Sequence, residues 1–491
     1  MSEDVLQNKD TFAGRMVQNI YFVLTILFLI NLITSLKAGM GNDEGIWNYI
    51  GQLWSNYSIP PYTGAVENKT PGIFFLFGLS NSLFGMNYWF PRLIAVVAIV
   101  ITSFFLYLVG RRLYSHTTGI LCAYIFGLSM TWRLMDGLYT SQTETFMVLF
   151  TVIAIYYLIL ALQSDRFYKR HFLLIGFFLG AAISFKQIAI FSGLFVVIAC
   201  AWIKPFRLHI IKVYLWIALG TMASVLLSCM PLWFSNVSFM DYIDGAWLIL
   251  LKSGSSLGPE NRLIYFLGAW KRLSIALFYP FLFLFFVNWR LLLEKNIPVV
   301  LLTIWLGLDF IAINLSGYYY GHQFKHILPV FSLITAITLS VLLDNLIKEN
   351  KFRWRLQLLM VVLLLWAPHG AFMDRLRPWL AESQKAYREL GLWLKENTTP
   401  DDYIYIWGAK GNTIQAYSER RSASEYFNSI FVYIPGALEE LVRDLHLNCP
   451  KWILIDRDGR YDTPEFFKEV LDGYSLVSHE CGYDVYKIAL R

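Results

Sequence analysis

The residues able to do chemistry are ionisable groups set against long apolar runs. Asp43-Glu44 follow the first such run directly. The next residues, Ile46 to Trp54, have the apolar spacing of an amphipathic helix lying on a membrane. Both acids therefore stand at a helix N-terminus, where the dipole favours a carboxylate. A cap would use the same residue types; the other use of an ionised acid is as a general base. Lys69-Thr70-Pro71-Gly72 puts a cation on a turn ahead of a second helix. That suits a phosphate or a lipid headgroup. Glu144 opens another apolar run, and Lys186-Gln187 separate two short ones. Ionisable groups at such depth are costly and mark function by default. The stretch from Ser316 to Pro329 gathers Tyr320, His322, Lys325 and His326, all rich in hydrogen-bonding capacity. His322 and His326 have the i,i+4 spacing of a helical zinc pair, but Lys325 between them and the lack of an HExxH acid argue against zinc. Arg262 is a further candidate partner for an anion.

These groups must be held by a membrane protein. Of 491 residues, 56% are apolar and 15% charged, against about 25% charge in a globular chain. Aromatics reach 17%, as expected of belts at membrane interfaces. Disorder, a coiled coil and a disulfide-rich secreted domain are excluded. A net charge of +6 is too weak to argue for nucleic acid. Runs long enough to cross a bilayer fall at 17–36, 88–110, 116–134, 143–163, 172–185, 188–203, 211–233, 272–290, 297–315, 324–345 and 354–370, about eleven spans. The pair 172–185 and 188–203 reads as two short or tilted helices. One continuous helix would be about 48 Å long with a charge at its centre. The segment 71–86 reads as interfacial.

Short connections carrying Arg111, Arg112, Lys169, Arg170, Lys204, Arg207, Lys348 and Lys351 set the orientation, with the N-terminus cytoplasmic. The first apolar run is long enough to span and lacks a small-residue cleavage site, so it reads as a span and not as a signal peptide. After residue 370, strand-like segments such as Tyr403–Trp407 and Trp452–Asp456 alternate with helical spacing. The expected organisation is a transmembrane domain over 1–370, with an external loop 37–87, and a small extracytoplasmic α/β domain over 371–491. Cys449 and Cys481 fall in the latter, where an oxidising compartment permits a disulfide without requiring one.

With these carriers in view, the chain resembles the GT-C membrane glycosyltransferases, and within them bacterial relatives of the protein O-mannosyltransferases and lipid A aminoarabinose transferases. The resemblance rests on Asp43-Glu44 after the first span, Lys69-Thr70-Pro71-Gly72 before an interfacial helix, and Glu144 opening the fourth span. It continues through Gly176…Gly180 ahead of Lys186-Gln187 and the Tyr/His-rich turn into Leu328-Pro329. It implies a GT-C-type polytopic α-helical fold in the plasma (inner) membrane and transfer on the extracytoplasmic face. The implied partners are a polyprenyl-phosphate sugar donor, a lipid, glycan or protein acceptor, and membrane lipids. By the same resemblance Asp43 matches the acid that activates the acceptor, Glu144 the acid of the second loop, and Lys69, Lys186 and more loosely Arg262 the cations near the lipid phosphate. The arginine expected before the tenth span is replaced by His322, Lys325 or His326. No organic cofactor is implied, and a divalent metal is left open.

The chemistry fits. A sugar on a phosphate already has a stabilised leaving group, so cations can replace a general acid and one base completes the set. Glu44 is then the hydrogen-bonding or electrostatic neighbour of Asp43. A hydrolase needs two carboxylates flanking one bond, and adjacent helical residues point about 100° apart. A transporter or flippase of lipid-linked sugars is the rival class, but it calls for internal repeats and mid-membrane charges. Apart from Lys186 the polar groups collect in the loops.

Overall fold

The computed structural model describes residues 39–130, 141–164, 166–202, 210–252, 259–269, 297–346, 378–408, 410–457 and 465–489, with isolated positions between 25 and 36. The expected spans 17–36, 272–290 and 354–370 lie mostly or wholly outside them. The remaining eight are helices. The described helices include α1 Asn42–Tyr57, α2 Pro71–Phe84, α3 Trp89–Leu113, α4 His116–Ser129, α5 Thr143–Leu162, α6 Lys169–Ile183, α7 Ile190–Trp202, α8 Ile210–Phe234, α9 Ile297–Asn314 and α10 Leu328–Leu346. Among the described residues, four helical stretches are long and apolar enough to cross a membrane: Trp89–Leu113, Thr143–Leu162, Ile210–Phe234 and Gly321–Val341.

Side-chain exposure orders them. α5 and α10 are central, with Met147, Val152, Ala154, Leu328, Val330 and Ala336 fully buried. α8 is peripheral and shows Leu215, Met222, Leu227 and Phe234 to its surroundings. Lipid tails are as apolar as leucine, so association rests on close packing and small residues more than on the hydrophobic effect. α6 and α8 illustrate this. A Cβ on Gly176 would stand 1.9 Å from the Ile217 carbonyl oxygen, and one on Gly220 2.1 Å from that of Leu173. Thr221 Oγ1 also donates to the Gly176 carbonyl at 3.1 Å. This contact fixes the end of α6, after which the chain breaks at Ser184–Lys186 and resumes through a 3-10 turn, Gln187–Ala189.

The C-terminal part is a five-stranded mixed sheet with helices α11 Pro378–Glu396, α12 Gly411–Ser418 and α13 Ala437–Asn448. Its strands are β1 Tyr403–Trp407, β2 Arg421–Ser422, β3 Trp452–Asp456, β4 Tyr474–Glu480 and β5 Tyr483–Ile488, in the order β2-β1-β3-β5-β4. β2, β1 and β3 are parallel, whereas β5 and β4 are antiparallel additions. Alternation along β1 sends Ile404 and Ile406 into one layer with Leu390 and Leu394, and Tyr405 and Trp407 into the other with Leu441 and Phe467. The register separates the exposed cysteines. Cys449 precedes the β3 end paired to Lys487, while Cys481 precedes the opposite end, where Asp456 meets Tyr483. Four strand residues span about 13 Å, beyond the reach of a disulfide. Both thiols are free.

The structure corrects the reading of α1 as a helix resting on the membrane. Residues 44–53 are buried throughout, including Asn48 and Gln52. α2 covers one side of the helix and α12 another. Gly45 lies so close to α12 that a Cβ there would be 2.7 Å from the Asn412 carbonyl carbon. The polar positions that suggested a solvent face are satisfied internally. Asn48 Nδ2 donates to Asn87 O at 2.6 Å, and Gln52 Nε2 to Ala416 O at 2.9 Å. Tyr49 Oη accepts the Ser422 amide at 2.8 Å, and the Val66 amide donates to Glu425 O at 2.9 Å. The α/β unit is therefore seated on α1 and on the loop leading to Lys69.

The α6–α8 contact yields a paired expectation. Gly176→Ala should lower the melting temperature of the purified protein in detergent, because the new methyl meets backbone. Gly193→Ala, with nothing within 4 Å of its Cβ position, should leave it unchanged or raise it slightly. Equal melting temperatures for the two variants would remove the contact from the account of how α6 is placed.

Candidate active site

Five separated segments meet at one end of the bundle. The first turn of α1 brings Asp43 and Glu44, although they are used differently. Glu44 is fully buried and takes a two-pronged ion pair from Arg92 of α3, with Nε–Oε1 at 2.8 Å and Nη2–Oε2 at 2.5 Å. Its carboxylate also accepts the Ser141 amide at 2.9 Å, the Ser141 hydroxyl at 3.2 Å and the Gly41 amide at 3.0 Å. Glu44, expected as the hydrogen-bonding or electrostatic neighbour of Asp43, is thus tied to α3 and to the segment before α5. Both of its oxygens are taken up by hydrogen bonds within the fold. Asp43, one residue earlier, is half-exposed and accepts only a 3.1 Å bond from Gln142 Nε2 among the contacts described.

Gln142 precedes α5, so the same short segment carries Glu144. The Glu144 carboxylate is buried, takes Thr143 Oγ1 at 3.0 Å, is paired with Lys186, and lies 3.8 Å from His322 Nε2. Lys186 comes from the break between α6 and α7. Lys69 approaches from the loop before α2, its ammonium 3.0 Å from Glu67 Oε1 and 2.6 Å from Asn68 Oδ1. Burial works against its charge. The carboxylates of Glu67, Asp43 and Glu144 more than offset this and hold the ammonium above its ordinary range. Asp43 and Glu144 both act electrostatically on Lys69, His322 and Lys325. Asp43, Glu144, Lys69, Lys186, His322 and Lys325 thus form one cluster, although they come from five distant parts of the chain.

The Tyr/His segment winds as a 3-10 helix over Gly321–Ile327. Such a helix has three residues per turn, so i and i+3 eclipse and i+4 is rotated by about 120°. His322 and Lys325 therefore share the face toward Glu144. His326 turns away into the bundle, where its Nε2 lies 3.2 Å from Asp309 Oδ1 and 3.2 Å from Ser192 Oγ. It is 1% exposed. Among the described contacts it therefore pairs with Asp309 and Ser192, and His322 with Glu144. Among the described residues, no group of three or more His, Cys, Asp or Glu side chains is placed to share a metal ion. Lys325 is also 1% exposed and acts from beneath the cluster. The Tyr320 ring stacks between those of Tyr318 and His322, at centroid distances of 5.5 and 5.7 Å. Arg262 packs on Gly317, at the end of this stack remote from His322.

Several participants escape a reading of the sequence. Arg92 and Asp309 are charges within apolar runs, and that signal alone could have found them. Glu67 and Asn68 carry no such signal, since only proximity to Lys69 reveals them.

The chain is similar to known proteins in part of its sequence and in most of its fold. Residues 68–234 match the dolichyl-phosphate-mannose-protein mannosyltransferase family, a segment holding Lys69, Glu144 and Lys186 but not Asp43. No curated protein sequence matches the chain. In solved structures, ArnT from Cupriavidus metallidurans bound to undecaprenyl phosphate superposes with TM-score 0.64 at 12% identity, covering 97% of this chain and 98% of that one. The oligosaccharyltransferase AglB of Archaeoglobus fulgidus, in complex with an inhibitory peptide and a dolichol-phosphate, gives 0.56 at 13% identity over 89% of this chain and 70% of that one. The mycobacterial arabinofuranosyltransferase AftD gives 0.52 at 13% identity, covering 95% of this chain and 40% of that one. The fold is that of the multi-pass GT-C membrane enzymes. The family match spans residues 68–234 of the 491, and the superpositions show that the chain is similar in fold to ArnT, AglB and AftD.

The Glu44–Arg92 geometry yields an expectation of its own. Arg92→Met should destabilise the protein by about 3–5 kcal/mol, because a buried carboxylate loses its partner. Combining it with Glu44→Leu should recover much of that loss. Thermal unfolding of both variants in detergent checks this, and a double variant no better than the single one would contradict it.

Proposed function

We propose that the protein transfers a sugar from a polyprenyl-phosphate donor to an acceptor hydroxyl. The observation that carries this reading is the convergence of Asp43 with Lys69 and Lys186 at one end of the bundle. Asp43 takes the acceptor proton as its oxygen attacks the anomeric carbon. The bond to the phosphate oxygen breaks, and the electron pair leaves with the polyprenyl phosphate. Lys69 and Lys186 stabilise that charge where it develops, which preorganised cations do best in a site of low dielectric. A single displacement of this kind inverts the anomeric centre. Glu144 holds Lys186 and orients the acceptor side together with His322. Tyr320 and Lys325 border the same site, and Arg262 guards its approach on the Gly317 side.

The relatives' ligands support the donor class. One solved ArnT structure holds undecaprenyl phosphate and one AglB structure a dolichol-phosphate. The basic residues of the short connections support a plasma-membrane orientation with the N-terminus cytoplasmic. The site and the α/β domain over 371–491 then face the extracytoplasmic side, beyond a transmembrane domain over 1–370. Seated on α1, the α/β domain shapes the acceptor's entry.

Purified protein incubated with a panel of radiolabelled polyprenyl-phosphate sugars, scored for release of the lipid phosphate, tests the proposal. Asp43→Asn should cut turnover by about 10²–10⁴-fold while the protein stays folded; normal turnover would defeat the base assignment. Lys69→Ala should chiefly raise the donor KM, since a charge-assisted phosphate contact is lost. An unchanged KM would count against that contact.

A further inference from the structure

The two cations sit on unrelated segments, and one side chain ties those segments together. Gln187 follows Lys186 at the start of the 3-10 turn that restarts the helix after the break. Its Nε2 donates to the Asn68 carbonyl at 2.8 Å and to the Ala246 carbonyl at 2.7 Å. Asn68 directly precedes Lys69. Ala246 is fully buried in a single π-helical turn, Asp244–Leu248, a widened geometry common at functional sites. The neighbouring peptide is held too, since Tyr62 Oη donates to the Lys69 carbonyl at 2.7 Å. Tyr62 in turn packs on Gly245 of the π-turn, where a Cβ would fall 2.4 Å from its ring. The backbone of Lys69 is therefore gripped on both flanking carbonyls. One of the grips comes from the residue next to Lys186.

We propose that Gln187 is a positioning residue for the donor phosphate, its carboxamide fixing the separation of Lys69 from Lys186. The inference rests on the reading of those two lysines as the phosphate site. Gln187 does not touch the reacting atoms. Its two N–H groups match two carbonyls that otherwise lack a common partner, and no other neutral side chain supplies two donors from one nitrogen at that length. A donor whose phosphate must meet both ammonium groups binds well only if their spacing is set beforehand.

The test is a double-mutant cycle on the full-length purified protein, with the donor KM and kcat of lipid-phosphate release as readouts. Gln187→Leu should raise the donor KM about 10-fold with kcat within a few-fold of wild type. In a Lys69→Ala background the same change should add little, because the group it positions is gone. Gln187→Met, unbranched and of similar length, carries the same expectation if the leucine variant does not fold. An unchanged KM, a loss confined to kcat, or effects of Gln187 and Lys69 that simply add would overturn the proposal. If Lys69→Ala itself leaves the KM unchanged, the phosphate site is what fails. If Lys69→Ala weakens donor use and the Gln187 variants do not, the failure belongs to this inference alone.

Discussion

The buried pair of Glu44 and Arg92 is the interaction from which the site takes its shape. It joins the first turn of α1 to α3, and the Ser141 amide and hydroxyl on the same carboxylate add the segment leading into α5. Asp43 stands one residue before this anchor, and Glu144 stands three residues after Ser141. A carboxylate with five donors around it is over-determined, and the desolvation of two buried charges is repaid only by such complete satisfaction. Fixing Glu44 this way leaves its neighbour Asp43 projecting from a rigid helix end with few ties of its own. That is the arrangement a proton acceptor needs.

The remaining charges are handled by geometry that limits the cost of placing them near lipid. Lys186 lies where α6 has ended and α7 has not begun, so the break supplies free backbone groups and room for an ion pair with Glu144. Lys325 and His322 use the eclipsed spacing of a 3-10 helix to share one face, while His326 is directed to Asp309. Seating the α/β unit on α1 removes water from the back of that helix. The unit also touches the loop that delivers Lys69, through Val66 and Glu425.

How much of this the sequence disclosed depended on range. Asp43, Lys69, Glu144 and Lys186 were legible because each charge abuts an apolar run, which is a local signal. The multi-pass helical character and the strands at Tyr403–Trp407 and Trp452–Asp456 were legible for similar reasons of period and composition. The pairing of Glu44 with Arg92 was not legible because the partner is 48 residues away. Asn48 and Gln52 looked like a wetted face, and only the fold shows that Asn87 and Ala416 carbonyls meet them. That His326 faces Asp309 and not the face of His322 follows from a chain that winds at three residues per turn, which the sequence does not announce. The separation of Cys449 from Cys481 required the β3–β5 register, which no spacing rule supplies. Asp309 was in plain view inside an apolar run, and a stricter use of the cost of intramembrane charge would have named it.

The most direct measurement is a structure of the protein in a lipid nanodisc with a non-transferable polyprenyl-phosphate sugar analogue. The phosphate should lie within hydrogen-bonding distance of both the Lys69 and Lys186 ammonium groups, with the anomeric carbon open to attack from the side of Asp43. A phosphate seated elsewhere, for instance on Arg262 alone with Lys69 and Lys186 still closed on Glu67 and Glu144, would contradict the convergence on which the proposed chemistry depends.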